Sequence, residues 1–246
     1  MHLSEQMKAA ILFEAKRSIG ELSKEACSDD SHGLISRSLA SRYLTVANYY
    51  LEKDELTEAR EALEASANTM LSFLVRRKLS DKRFCCVISW DVVEGIFASL
   101  AAGNAQTAGE MAVLAGKHSF LFHFESWHSL LLRVVSHVLV SPEEVTSETF
   151  EELKRSLANG QRSAIGFADT LKGILAGKSA LIDSGLHQLH VGHKKDDRAR
   201  ERGFFHGPVS IPMIGLFRYS KSAGAISSLG FETNLIPPSI LDVTKS

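Results

Sequence analysis

The chain has 246 residues, 44% of them hydrophobic and 23% charged, which is too apolar for a disordered protein and enough to build a full core. Its formal net charge is −1, so the totals offer no excess of Lys and Arg for counterion-release binding to nucleic acid. Cys27, Cys85 and Cys86 are an odd number with one adjacent pair, which fits neither a disulfide framework nor a CxxC motif. The composition therefore indicates a globular protein that makes no direct contact with nucleic acid.

The N-terminal residues argue against a leader peptide or a membrane anchor. Charged side chains at Glu5, Lys8 and Glu14 interrupt the apolar core that a signal peptide needs. No run of about 18 apolar residues occurs, so no membrane-spanning helix is expected. The sequence therefore predicts a cytoplasmic location.

Helical periodicity runs along almost the whole chain. None of the five prolines precedes Pro142, and strand-like alternation is nearly absent. Apolar residues recur at four-residue spacing from the start, as at Ile11, Ala15 and Ile19. Roughly ten helices are predicted. They span residues 4–22, 34–52, 55–77, 81–102, 104–116, 124–140, 142–158, 161–176, 179–194 and 211–228.

Residues suited to helix ends mark the boundaries of these helices. The expected N-caps are Asp54, Asn104 and Ser210. Residues 141–144 (Ser-Pro-Glu-Glu) have the pattern of a capping box with proline in the first turn. Gly177 is expected to join two helices and Gly230 to end the helix after Ser210, and the last residues, around Pro237, should form an extended tail packed on the body.

The helices between residues 34 and 77 loosely resemble one tetratricopeptide unit. Small residues such as Ala59 and Ala67 allow two antiparallel helices to approach closely, and Tyr43 and Tyr50 fill the groove beside them. Similar turns recur only at spacings well above the roughly 34 residues of that repeat. We therefore expect an all-α array of antiparallel helical hairpins, tetratricopeptide-like only in part. Residues 1–246 should form a single helical domain, with 141–160 as the place where it could divide.

Patterns that would carry catalysis are weak in this sequence. Residues 173–179 fall one residue short of a phosphate-binding loop and follow a helix instead of a strand. His187, His190 and His193 recur every third residue, which spreads them around a helix and converges poorly on a metal ion. The histidines among the aromatic residues of 118–137 form either a pocket or, more simply, a core with satisfied imidazoles. No catalytic, cofactor-binding or metal-binding residue is assigned.

The last third of the chain resembles a known family. It comprises a helix–Ala-Gly-Lys–helix unit from Leu171 to His193, a charged loop, the segment Phe204–Pro212, a small-residue helix and a proline-bearing tail from Leu235 to Leu241. This order is similar to the end of the helical immunity proteins numbered forty-nine among bacterial polymorphic-toxin systems. The preceding residues agree only in being helical hairpins.

The resemblance implies a protein that is encoded beside a toxin, often an effector of a specialised secretion system used in bacterial competition. Such a protein would bind the cognate toxin and block its active site, without an enzymatic activity or a cofactor of its own. If the toxin is a basic nuclease, acidic side chains are the expected contacts. The candidate partner-binding residues are Glu143, Glu144, Glu148, Glu151 and Glu152 as the first choice, and Asp54, Glu55 and Glu58 as the second.

Two other functions stay open at this point. A tetratricopeptide-like adaptor or regulator would take a peptide in a hairpin groove near Tyr43 and Tyr50. An enzyme of unknown type would use a histidine-containing pocket in the 118–137 region. The acidic residues also have a simpler explanation, since charged helix faces keep a protein soluble. The oligomeric state and the identity of the toxin do not follow from the sequence.

Overall fold

The structure is a computed structural model that describes residues 4–25, 33–77, 87–117, 127–160, 164–195 and 209–241. These residues form eleven α-helices and one 3-10 helix, Pro142–Glu144, and contain no strand, so the predicted all-α class is confirmed. The α-helices are α1 (Glu5–Glu25), α2 (Leu34–Glu52), α3 (Leu56–Arg76), α4 (Ser89–Ala102), α5 (Ala105–Lys117), α6 (Trp127–Val140), α7 (Ser147–Gly160), α8 (Gly166–Ala176), α9 (Ser179–Lys195), α10 (Ile211–Ser222) and α11 (Pro238–Leu241).

Several residues and helix boundaries named in the sequence predictions lie outside the described residues. They are the three cysteines, His118, His123, the charged loop after residue 195, Phe204–Pro208 and the starts of the helices predicted from 81, 124 and 161.

Consecutive helices pack as hairpins, and local chemistry sets several of their ends. The pairs α2–α3, α4–α5 and α8–α9 are in contact along the array. The Oδ1 atom of Asn104 accepts a hydrogen bond from the backbone nitrogen of Thr107 (3.0 Å), and the Oγ atom of Ser210 accepts one from Met213 (3.5 Å). Gly177 adopts a φ of +60° after α8, a conformation that glycine reaches without strain. These three sequence predictions are confirmed.

Other helix ends differ from the prediction. Asp54 has a φ of +59° and lies before the N-cap of α3, which is Glu55, so its side chain does not cap the helix. Ser141 makes no side-chain cap and is followed only by the 3-10 helix, while α7 begins later, where Thr146 Oγ1 accepts from the backbone nitrogen of Thr149 (3.2 Å). Helix α10 ends at Ser222, well before the predicted stop at Gly230.

Helix α4 is the centre of the core. Twelve of its fourteen residues are buried, and it packs against α3, α5, α6 and α10. Phe97 of α4 stacks on Phe167 of α8, with ring centroids 5.3 Å apart, so α4 also contacts a helix of the later hairpin α8–α9. The buried apolar side chains form one cluster that extends from Ala15 in α1 to Ile240 in α11.

The C-terminal residues pack against the helices as predicted, but residues Pro238–Leu241 form a short helix and are not extended. The backbone nitrogen of Ser210 donates to the carbonyl oxygen of Leu235 (2.8 Å), and Leu235 and Ile236 are buried. The short helix α11 follows, where the Ser239 hydroxyl donates to the Asp54 carboxylate. The tail therefore contacts the turn between α2 and α3.

Candidate functional site

Five exposed carboxylates follow Ser141, but they do not share one helix. We call Glu143, Glu144, Glu148, Glu151 and Glu152 the α7 acidic strip; the first two lie on the 3-10 helix and the others on α7. Three of them face a basic side chain from a neighbouring helix. The pairs are His137–Glu144 (3.6 Å), Lys172–Glu151 (3.5 Å) and Arg133–Glu152 (3.2 Å). Arg133 and Lys172 therefore compensate two of the five negative charges of this strip within the protein.

A second group of exposed carboxylates lies at the start of α3. We call Asp54, Glu55, Glu58 and Glu61 the α3 acidic ridge, of which Glu61 was not predicted although it follows Glu58 at helical spacing. Glu55, Glu58 and Glu61 form no ion pair with any other described residue. Negative charge at a helix N-terminus is favourable, so the fold tolerates Glu55 and Glu58 without a counterion. The ridge thus presents less compensated charge than the α7 acidic strip.

The surface around the two predicted groove tyrosines is partly covered. Tyr43 is half-buried, and Tyr50 packs against the core, where its hydroxyl accepts a hydrogen bond from Lys16 Nζ of α1 (2.7 Å). A second contact between α1 and α2 is the ion pair of Lys8 with Glu52. Helix α1 therefore lies over the part of α2 near Tyr50.

The described histidines do not converge on one another as a reactive set. His128 and His137 lie at opposite ends of α6. In α9, the rings of His187 and His190 are 6.2 Å apart, and His190 Nδ1 is 2.8 Å from the hydroxyl of Thr233 in the tail. Within the described ranges, no group of three or more His, Cys, Asp or Glu side chains could hold a metal ion.

An open cleft of about 460 Å³ lies between α10 and the residues that follow it. Its apolar lining includes Phe217 of α10 and Phe231 of the tail, and its polar lining includes Glu232 and Thr233. The lining also has the hydroxyl of Ser228, and the Thr233 hydroxyl is already held by His190. Among the described residues, no hydrogen bond joins Glu232 to either hydroxyl, as a nucleophile–base pair would require. The cleft therefore offers a surface for contact but no evident chemistry.

The start of α4 holds a cluster that was not predicted from the sequence. We call Arg37, Trp90, Asp91, Glu94, Trp127 and His128 the Trp90 cluster. The Trp90 ring lies 5.4 Å from the Trp127 ring and 5.3 Å from the His128 ring, measured between centroids. Asp91 accepts a hydrogen bond from the backbone nitrogen of Ile88 (2.8 Å), and its other oxygen pairs with Arg37 of α2 (3.1 Å).

Burial changes the pKa values of the titratable groups in this cluster. Glu94 is only 8% exposed, and burial, followed by repulsion from Asp91, raises its pKa well above the ordinary range. Burial also raises the pKa of Asp91 and lowers the pKa of His128. The sequence signal that could have revealed the cluster is a lone glutamate in the middle of the apolar α4 pattern.

No protein-family model matches the chain, and no curated protein and no solved structure matches it either. Among the helices of the described segments, none combines the length and the apolar character needed to cross a bilayer. Any functional proposal therefore rests on the chain's own residues and on the resemblance in its last third.

Proposed function

We propose that this protein is an immunity protein that binds a cognate bacterial toxin and neutralises it by covering the toxin's active site. The observation that carries the proposal is the α3 acidic ridge, whose exposed carboxylates have no counterion among the described residues. The resemblance of the last third to helical immunity proteins points to the same function. The protein would act as a stoichiometric binder and not as an enzyme.

The physical basis is electrostatic matching on a rigid scaffold. Helix α3 is fixed by its packing against α2, α4 and α5, and the α2–α3 turn is tied to the tail through Asp54 and Ser239. Such a surface needs little ordering when a partner binds, so less of the interaction free energy is lost. A toxin that acts on nucleic acid needs basic side chains to hold phosphates, and carboxylates on the ridge would occupy those positions.

The residue ranking in this proposal reverses the one made from sequence. Glu55 and Glu58 of the α3 acidic ridge become the first choice, with Glu61 beside them. The α7 acidic strip becomes the second choice because Glu144, Glu151 and Glu152 already face basic groups. A paired charge has a weaker long-range field than a lone one, and long-range fields raise association rates.

The experiment is to produce the chain together with the toxin domain encoded by the adjacent gene. We expect that this protein restores the growth of cells that make the toxin. We also expect that the two proteins form a one-to-one complex on size-exclusion chromatography. In a purified assay, inhibition should reach completion at equimolar protein. Protection at a much lower ratio would indicate turnover instead, and a toxin that stays unbound and active would remove the immunity function.

A tetratricopeptide-like adaptor is the second candidate, and the antiparallel hairpins α2–α3, α4–α5 and α8–α9 favour it. A peptide could not use the face of α4 that α10 occupies, where Arg218 Nη1 donates to the carbonyl oxygen of Ala101 (2.6 Å). Binding of short extended peptides, with no affinity for a folded toxin domain, would support the adaptor over the immunity protein.

A further inference from the structure

The cleft between α10 and the tail has apolar walls and a few polar groups. Phe217 and Phe231 contribute aromatic surface to it, and Leu229 and Leu241 add aliphatic surface. Its volume of about 460 Å³ lies within the range of small-molecule sites, which are mostly apolar with a few polar groups that orient the ligand. The charge of those polar groups therefore decides which class of ligand the cleft can take.

The polar groups of the cleft are acceptors, and one of them is charged. Glu232 is exposed, and its carboxylate forms no ion pair or hydrogen bond with another residue that the structure describes. The hydroxyl of Ser228 has no hydrogen bond within the described ranges either. Thr233 differs, because its hydroxyl lies 2.8 Å from His190 Nδ1 and accepts from the backbone nitrogen of Leu235 (3.0 Å). Among the described residues, the lining thus offers a ligand one negative charge and no positive charge.

We propose that this cleft binds an organic ammonium ion, with the ammonium group at Glu232 and Phe231 and the apolar group towards Phe217. A carboxylate attracts a cation and accepts its N–H groups, and the face of an aromatic ring adds a further attraction. The apolar group gains free energy when it leaves water for the walls of the cleft. This binding is independent of the toxin complex proposed above.

Lys221 decides at which end of the cleft the ammonium group binds. Its Nζ lies 5.5 Å from the centroid of the Phe217 ring, so this ring already has a cation near it. Lys221 is not part of the lining, but a second positive charge close to Phe217 would be repelled. The ammonium group is therefore expected beside Phe231, and the apolar part of the ligand beside Phe217.

Helix α9 fixes the tail segment that forms one wall of the cleft. The backbone nitrogen of Gly230 donates to the carboxylate of Asp183 in α9 (3.1 Å). The Phe231 ring packs against the rings of His187 (5.1 Å) and His190 (5.6 Å), measured between centroids. A wall that is already held needs little ordering when a ligand binds, so less of the interaction free energy is lost.

The test compares probes of nearly the same size and different charge at about pH 8, where alkyl amines are protonated and carboxylic acids are ionised. The probes are phenethylammonium, neutral phenylethanol and the phenylpropionate anion. Titrations followed by saturation-transfer difference NMR measure their dissociation constants. The proteins are the wild type, Glu232→Gln, Glu232→Lys and Glu148→Gln, the last a control at an exposed carboxylate of α7 outside the cleft. Circular dichroism checks that each protein is folded.

The wild type and the Glu148→Gln control should bind phenethylammonium most tightly and phenylpropionate least. Glu232→Gln should weaken the binding of phenethylammonium by about three- to fivefold, since ion pairs that water can reach are modest, and should leave that of phenylethanol unchanged. Glu232→Lys should reverse the order of the two ions.

Three results would each overturn the proposal. They are no detectable binding of phenethylammonium to the wild type, equal or tighter binding of phenylpropionate, and an affinity for phenethylammonium that either Glu232 variant leaves unchanged. The comparison of the probes on the wild type decides the charge preference even if a variant does not fold.

Discussion

Gly166 of α8 and Gly185 of α9 meet at the point where these two helices come closest. A Cβ atom on Gly185 would lie 2.7 Å from the carbonyl oxygen of Gly166 and 2.5 Å from the backbone nitrogen of Thr170. Both distances are to backbone atoms, which cannot turn aside as a side chain can. The close packing of this hairpin therefore depends on the absence of side chains at the crossing.

Replacing Gly185 with alanine should destabilise the protein by about 1–3 kcal/mol, because the added methyl group forces α8 and α9 apart. Equilibrium denaturation measures the change. The matched control is Gly109→Ala in α5, where a Cβ meets nothing within 4 Å. That variant should be more stable by about 0.5–1 kcal/mol, since alanine favours the helix. Equal effects of the two substitutions would contradict the close crossing.

Glu94→Gln should make the protein more stable at neutral pH than the wild type. Burial raises the pKa of Glu94 above its ordinary value of 4.5, so the native state binds the proton more tightly than the unfolded chain does. As the pH rises from 4.5 towards the raised pKa, the wild type therefore loses stability that this proton supplied, whereas glutamine has no proton to lose.

The measurement for this second prediction is denaturant unfolding at several pH values from about 5 to about 8. The difference between Glu94→Gln and the wild type should grow with pH and level off once the pH passes the raised pKa of Glu94. Glu110→Gln, on the exposed face of α5, controls for the loss of one carboxyl group. A difference that stays constant or shrinks as the pH rises would show that Glu94 is not held protonated by the fold.

Lys154 and Asp169 form an ion pair, and the two side chains differ in how far they are exposed to water. Lys154 Nζ lies 3.1 Å from each carboxylate oxygen of Asp169, and Gln188 Nε2 donates to one of them at 2.9 Å. The side chain of Lys154 is 41% exposed and that of Asp169 only 12%. Only the lysine can return to water when the pair is broken.

Lys154→Met should therefore destabilise the protein more than Asp169→Asn does. The first change leaves a buried carboxylate with Gln188 alone, while the second leaves an ammonium group that water can solvate. Thermal unfolding at neutral pH compares them, with an expected difference of about 1–2 kcal/mol. The opposite order would mean that the Asp169 site is more open to water than its burial indicates.

The sequence predicted best where local chemistry decides the structure. Asn104, Gly177 and Ser210 end or begin helices through bonds and dihedral angles within a few residues, and all three occur as expected. Asp54 and Ser141 had equally good local patterns but different surroundings. The chain turns through a positive φ at Asp54, whose carboxylate is engaged by Ser239, 185 residues further on. A contact so distant in sequence leaves no local pattern.

In the candidate site, too, local features could be predicted from the sequence and contacts between distant residues could not. The exposed carboxylates could be found from sequence, but their counterions could not, because Arg133 and Lys172 reach the α7 acidic strip from other helices. The Trp90 cluster needs contacts between residues as far apart as Arg37 and Asp91. Periodicity assigns Glu94 to a helix but does not reveal that the helix is surrounded on every side.

Charge reversal on the two acidic surfaces should separate their contributions to toxin binding. The double substitution Glu55→Lys and Glu58→Lys should slow association by about tenfold or more and flatten its salt dependence, because the ridge would steer a basic partner. Glu151→Lys with Glu152→Lys changes the net charge equally, and should alter the rate far less because these carboxylates already pair with Lys172 and Arg133. Stopped-flow association at low and high salt makes the comparison, with circular dichroism confirming the fold. Slower binding only for the second pair would place the interface on the α7 acidic strip, and unchanged rates for both would exclude electrostatic steering by either surface.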